Sequence, residues 1–398
     1  MAKELIHFQN FAKLKDTEVA FNDITVLAGK PGTGKSYVMK MMYAIDEAYY
    51  RKSNNTLVLE FIEDNKAHLM NIANLFLSDD KDKLVEVEKF IKENNFTDYQ
   101  KYLKEYFSTV TALESTTTEL IHRIERLKSL PITDQMVIFL SNIIKSIFSD
   151  YNQISDHFSL KNKDLEIKLV DKNLEFNFER IIDIDNSTVV FVETPLILEF
   201  KKFIIREEGK TPYHLESLLK ILDTDYSFTD ETQEQFIKEF TKRSKEIIEG
   251  DIESSSDSFS FNKENGKNYD IVNTSSGTKS IGLLQYLVTN KALKKGSVLY
   301  WEEPEVHLHP EWQLRMIELF VELMNAGVKI IFSTHSPYMC DYLNAISQKK
   351  GFDNRVSFNL LEETENIVNN YILESDEDWN RIQAELLDPL EEIMWEYI

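Results

Sequence analysis

Residues Gly29-Lys30-Pro31-Gly32-Thr33-Gly34-Lys35-Ser36 follow the pattern G-x4-G-K-S, and each residue type suits a phosphate. Glycines let the backbone turn its N–H groups inward around anionic oxygens. Lys35 is long enough to reach β- and γ-phosphates, and the Ser36 hydroxyl can ligate Mg2+. The competing account of the same residues is a glycine-rich turn. A second chemical stretch is VLYWEEPEVHLHP over 298–310. Its apolar run reads as a buried parallel strand that delivers Glu302 and Glu303 together at its end. Taken alone, that pair fits a ligand-binding sheet edge and an ordinary strand end with solvated acids equally well.

Two further groups complete the set. Ser275, Ser276 and Gly277, within NTSSGTKS at 273–280, bring hydroxyls and a glycine to an expected helix start. Side-chain O–H, backbone N–H and the helix dipole can converge there on an anion, although plain serine capping explains the residues too. His335, in FSTHSP, stands at the end of another apolar strand, where a structural histidine would also fit. His307 and His309 are spaced i, i+2, but the sequence offers no accompanying acid or histidine cluster for a metal.

These groups need elements to hold them. ITVLA at 24–28 is a short buried strand leading into the glycine loop, and 37–50 is a helical run after it. Shorter strands are expected at 5–8 and 18–21. A strand or helix is expected at 56–60. From 61 to 160 the pattern is helical and charged, with runs at 84–93, 99–107, 117–130 and 136–148 broken by Pro131. Sustained heptads are missing, which points to a compact helical insertion with solvated faces. Beyond it come a hairpin around 171–173, a strand at 187–192, helices at 196–205 and 213–250, and a second hairpin after Gly250. A helix over 281–295, the 298 strand, a helix opened by Pro310, and a strand at 328–332 follow. A further helix begins near Tyr338, two strands cover 355–361 and 366–373, and a helix over 378–397 closes the chain.

Composition sets the class. With 398 residues, 42% of them hydrophobic, the chain has material for two or three core-sized units. A net charge of −23 argues against broad adhesion to nucleic acid or to anionic membranes. The single Cys340 excludes an intramolecular disulfide and a cysteine metal site. No apolar stretch is long enough to span a bilayer and no leader is visible, so the cytoplasm is the expected location.

In order, the chain carries a phosphate loop, a Ser/Gly helix start, a strand ending in paired acids, and a strand ending in His. Gly277 and Glu303 are 26 residues apart, and Glu303 and His335 are 32 apart, each with room for one helix and one strand. This order resembles the ABC-class ATPases, most closely their SMC-like and OLD-like branch. GKPGTGKS, TSSGTKS, WEEPEVHLHP and FSTHSP carry the likeness, over about the first 50 residues and 270–345. The resemblance implies an α/β fold: an ABC-type P-loop ATPase head with a mixed sheet flanked by helices. The head would be formed from 1–60 and 161–398, with the helical insertion between them. It implies ATP and Mg2+ as cofactors, with residues 29–36 as Walker A and Ser36 with Glu302 on the metal. Glu303 would be the catalytic base, and His335 the switch histidine. Ser275, Ser276 and Gly277 would form a signature that contacts ATP held by a second copy, hence a homodimer or higher even oligomer.

Three positions depart from the family pattern. Glu302 stands where Asp is usual, and its extra methylene displaces the carboxylate by about 1.5 Å, which implies altered Mg2+ coordination and slow hydrolysis. The signature reads SSG rather than SGG, and no Q-loop glutamine can be placed. The OLD-type nuclease domain is not expected in the residues after the last motif. The likeness is therefore to standalone ATPase subunits of anti-phage systems such as Septu and PARIS, acting with a separate nuclease or toxin. A non-catalytic nucleotide-dependent scaffold and an SMC-type DNA-repair ATPase are the alternatives. The acidic charge gives no support to nucleic-acid binding.

Overall fold

A computed structural model describes residues 3–50, 82, 85, 114–148, 154–179, 188–200, 211–224, 226, 231–255 and 258–387. The elements expected at 56–60, 84–93 (Val85 excepted), 99–107, 201–205 and 388–397 lie outside these residues. The chain divides into two compact units, 51–140 and the remainder. In the smaller unit the described elements are helix α2 (Glu114–Ser129) and the first part of α3 (Ile132–Phe148), separated at Pro131.

The larger unit is built on one 11-stranded sheet. Its parallel half contains β3 (Ile24–Ala28), β7 (Val189–Val192), β11 (Val298–Glu302), β12 (Lys329–Thr334) and β13 (Val356–Thr364). They lie in the order β13-β3-β12-β11-β7, and every neighbouring pair is parallel. Strands β3, β7 and β11 read as near-continuous apolar runs, as strands buried on both faces do. All five residues of β3 and all four of β7 are buried.

The other half is mostly antiparallel. It contains β14 (Ile367–Ile372), β2 (Leu14–Phe21), β1 (Glu4–Phe11), β4 (Phe158–Lys161), β5 (Leu165–Val170) and β6 (Asn173–Phe178). Strand β4 pairs with β1, so the segment expected to be helical up to 160 ends in the sheet. The β5–β6 hairpin turns at Asp171 and Lys172, both at positive φ as a two-residue type I′ turn requires.

Helix α1 (Lys35–Tyr50) follows β3 through the glycine loop. One-turn α4 (Ile197–Phe200) follows β7, and α5 (Tyr213–Asp223) and α6 (Glu231–Ile248) come next. The expected second hairpin is a three-stranded antiparallel sheet of β8 (Gly250–Ser254), β9 (Phe259–Lys263) and β10 (Asn268–Asp270).

Helix α7 (Ser276–Thr289) begins inside the SSG motif and stops short of 295. Asn290 caps it, and Lys291 turns to φ 68°. Leu293, although apolar, is buried off the helix and donates its N–H to the Leu287 carbonyl at 3.0 Å. Helices α8 (Pro310–Asn325) and α9 (Pro337–Lys350) each open on proline, and α10 (Asp376–Leu386) opens on a Ser375–Asp378 capping box. The core runs from the parallel strands into α5 to α9, with Trp301, Phe320 and Phe332 among its largest fully buried side chains.

Candidate active site

Register brings the motifs to one edge. Ala28 pairs with Thr334, Glu302 with Ser333, and Trp301 with Val192. The residues that follow are Gly29, His335, Glu303 and Glu193, and they leave the sheet side by side at its carboxyl edge. That edge is where open α/β sheets hold ligands.

The loop's geometry explains its glycines. Gly29 adopts φ 138°, and a Cβ there would lie 2.2 Å from the Leu361 carbonyl oxygen of the neighbouring strand β13. The Lys35 ammonium donates to the Gly29 and Lys30 carbonyls at 2.8 Å each and is almost fully buried. Burial pulls the Lys35 pKa down to about 8, while Glu303, Glu305 and Glu302 pull the other way. Pro31, Gly32, Gly34, Lys35, Ser36, Tyr37, Ala12, Lys13, Ile154, Glu303 and His335 line a cleft of ≈ 500 Å3. Thr33 turns away, donating its hydroxyl to the Lys30 carbonyl at 3.0 Å.

Across the cleft stand the acid and the histidine. Glu303 sits at φ 45°, uncommon for a residue with a side chain, and such conformations cost about 1–3 kcal/mol. Its N–H holds the turn by donating to the Ser333 carbonyl and hydroxyl oxygens at 3.1 and 3.3 Å. Its Oε1 lies 3.1 Å from His335 Nε2. A carboxylate only accepts, so that nitrogen carries the proton. Burial and the Lys35 charge depress the His335 pKa, against the pull of Glu303 and the Gly29 backbone, so the ring is a neutral donor near pH 7.

Glu302 does not line the cleft but lies beside Ser36, which does. Burial pushes its pKa up to about 7. Lys40 opposes this, Glu193 adds to it, the Ser36 hydroxyl opposes it through a hydrogen bond, and Glu303 adds again. Glu302 Oε1 is buried with no hydrogen-bond partner. An orphaned carboxylate oxygen beside a serine hydroxyl is a donor set that fits a hard divalent cation, which needs only one or two protein ligands when phosphates supply the rest. Among the described residues, no group of three or more His, Cys, Asp or Glu is arranged to hold a metal. His309 instead caps α8 with Nδ1.

The native state holds a proton on Glu302 between the ordinary carboxylate range and about pH 7, and the unfolded chain does not. Stability therefore falls as pH rises through that window. Without nucleotide or metal, Glu302→Gln is expected to raise the melting temperature, with a margin that grows from about pH 5 to about pH 8. A margin independent of pH in thermal melts would show that Glu302 is not held protonated.

Four participants escape motif reading. Glu193 follows β7 as Glu303 follows β11, and both are apolar runs closing on an acid and a proline (VVFVETP, VLYWEEP). That parallel is the signal that could have found it. Its carboxylate takes Lys40 Nζ at 3.1 Å and His214 Nε2 at 2.7 Å. The His214 bond, then Lys40, hold the Glu193 pKa down near 2, while burial depresses His214, so the pair is a carboxylate and a neutral imidazole. Lys40 stands one helical turn beyond Ser36, on the same face of α1. Glu305 Oε1 accepts the His335 backbone N–H at 2.6 Å and so fixes where that residue leaves β12.

Ser275, Ser276 and Gly277 are not among the cleft's lining residues. Ser275 is the N-cap of α7 and accepts the Thr278 N–H at 3.2 Å. A Cβ on Gly277 would meet the His307 carbonyl oxygen at 3.0 Å, so the helix start packs against the turn that follows Glu303.

A glycine loop on a central parallel strand, with paired acids and a histidine at neighbouring strand ends, defines a P-loop ATPase domain. The chain belongs to the AAA ATPase domain family AAA_15, whose model matches residues 1–340. The SMC head domain from Thermotoga maritima is similar at 10% identity over 94% of this chain and 100% of that one, with a TM-score of 0.43. An Smc head bound to the C-terminal winged-helix domain of ScpA is similar at 11% identity over 96% and 100%, TM-score 0.42. A dimeric ATP-binding cassette, MJ0796 bound to ADP and phosphate, is similar at 9% identity over 93% and 99%, TM-score 0.34. Comparison with curated proteins finds no match. No described helix is long and apolar enough to cross a membrane.

Proposed function

We propose that this chain hydrolyses ATP, that two copies close around the nucleotide, and that the cycle serves as a conformational switch. The observation that carries the reading is Glu303, held 3.1 Å from the neutral His335 across a cleft floored by Lys35. Lys35 and the loop amides neutralise phosphate charge. Mg2+, held by Ser36 and Glu302, would neutralise the phosphate oxygens further. Glu303 takes a proton from water as the water oxygen bonds to the γ-phosphorus and the bond to the leaving ADP oxygen breaks. His335 holds the Glu303 carboxylate and presents its neutral ring to the cleft. The strained backbone at Glu303 fixes the base before substrate arrives.

Dimerisation is inferred from the position of Ser275–Gly277. They form a ready anion site at a helix start but do not line their own chain's cleft, so their use is in a second copy's site. By analogy, the motif resemblance supports a role as sensor and switch in anti-phage defence with a separate effector, a nuclease or toxin.

ATP turnover and sedimentation velocity with and without Mg2+-ATP test the reading. Wild type is expected to turn over slowly and to sediment as a dimer with ATP. Lys35→Ala, which deletes the phosphate-reaching ammonium, is expected to lose both. Equal turnover in the two proteins would overturn the assignment.

A further inference from the structure

Lys279 is out of place by ordinary rules. It lies in the first turns of α7, where the helix dipole opposes a cation, and it is 3% exposed, where desolvation opposes it again. Two contacts compensate. Its Nζ donates to the Thr274 carbonyl at 2.6 Å and pairs with Glu199 Oε1 at 2.7 Å. Thr274 is the residue before the Ser275 cap. Its own N–H donates to the Ile271 carbonyl at 3.1 Å, so it is tied from both sides. Glu199 sits on one-turn α4, whose Ile197 and Leu198 are buried in the core, so the anchor is itself fixed.

We propose that Lys279 and Glu199 are a positioning pair that sets the Ser275–Gly277 helix start for use by a second copy. Neither member of the pair lines the cleft. Its purpose as stated rests on the dimer reading, but its effect on the helix start does not. A buried ion pair is weak grounds for stability alone, since replacing both members by well-packed apolar side chains is often neutral. Its geometry acts instead on one carbonyl, and through that carbonyl on the cap.

Three variants separate position from folding. Lys279→Met keeps the length and leaves Glu199 with solvent access, since its side chain is 23% exposed. Glu199→Gln strands a buried ammonium and is expected to lower the melting temperature more. Lys279→Arg keeps the charge.

Hydrogen exchange on the nucleotide-free chain reads the pair without any need for a dimer. In Lys279→Met, amides of residues 278–280 are expected to exchange about tenfold faster, the factor that one lost charge-assisted hydrogen bond brings. Residues 29–36 are expected to be unchanged, and Lys279→Arg to restore most of the protection. In the same variant, fluorescent-ATP affinity is expected within about twofold of wild type while ATP-dependent dimerisation weakens about tenfold. Unchanged exchange at residues 278–280 overturns the pair as a positioning device. Faster exchange with unchanged dimerisation overturns its purpose. A wild-type chain that never dimerises with ATP overturns the dimer reading instead and leaves the exchange result standing.

Discussion

Glu303→Gln is expected to lower kcat by about 10²–10⁴, the range a positioned general base contributes, while ATP affinity stays near the wild-type value. The amide keeps the size and hydrogen-bonding reach of the carboxylate, so the contact to His335 at 3.1 Å survives and only the capacity to take a proton goes. The backbone at φ 45° is the same for either residue, so no stability change is expected from strain. With hydrolysis blocked and binding intact, the closed state should accumulate and appear in sedimentation as an ATP-dependent dimer. Single-turnover kinetics with thermal melts separate the cases. A variant that melts normally and hydrolyses within a few-fold of wild type would assign the base to some other group.

Gly29→Ala is expected to be strongly damaging. Its φ of 138° belongs to glycine, and the added Cβ would sit 2.2 Å from the Leu361 carbonyl, a backbone atom that cannot rotate away. Either β3 parts from β13 or the loop changes course. The Gly29 carbonyl also receives Lys35 Nζ, so the loop cannot shift without moving the phosphate-reaching ammonium. A loss of about 3 kcal/mol or more is expected, together with loss of nucleotide binding. Gly32→Ala is the control. It too has positive φ, 81°, but nothing lies within 4 Å of its Cβ, and the cost is expected near the 1–2 kcal/mol of a strained backbone alone. Urea unfolding of both variants decides the point. Equal losses would mean that the close approach to β13 carries no weight.

What could be read from the sequence was local. Strand β11 ends at Glu302 as expected, and the glycine loop, Glu303 and His335 meet because each follows directly on its own strand. Helix α7 starts five residues before the apolar period expected from 281, because its first turns hold Thr278, Lys279 and Ser280. These buried polar residues break the apolar period yet form the capped helix start. Its expected end failed because Ala292 and Leu293 continue an apolar pattern while the chain has already turned at Lys291. Glu193, Glu305, His214 and Lys279 take their roles from pairing between distant segments. Glu193 faces Glu302 only because β7 lies beside β11, and Lys279 has a partner only because α4 follows that strand. No window of sequence contains both members of such a pair.

The place of β3 in the sheet has a consequence for how the protein is made. The strand that carries the glycine loop emerges early in synthesis, at 24–28, but its hydrogen-bonded neighbours are β12 and β13, at 329–334 and 356–364. Pairings across some three hundred residues are slow to form and wait on segments translated much later. A ribosome-bound fragment therefore holds the phosphate loop's residues without the wall that shapes them. Nucleotide capture, and any switching that depends on it, is deferred until translation has passed the histidine strand and its neighbour. The order of the strands thus acts as a timer on when the phosphate loop takes its shape.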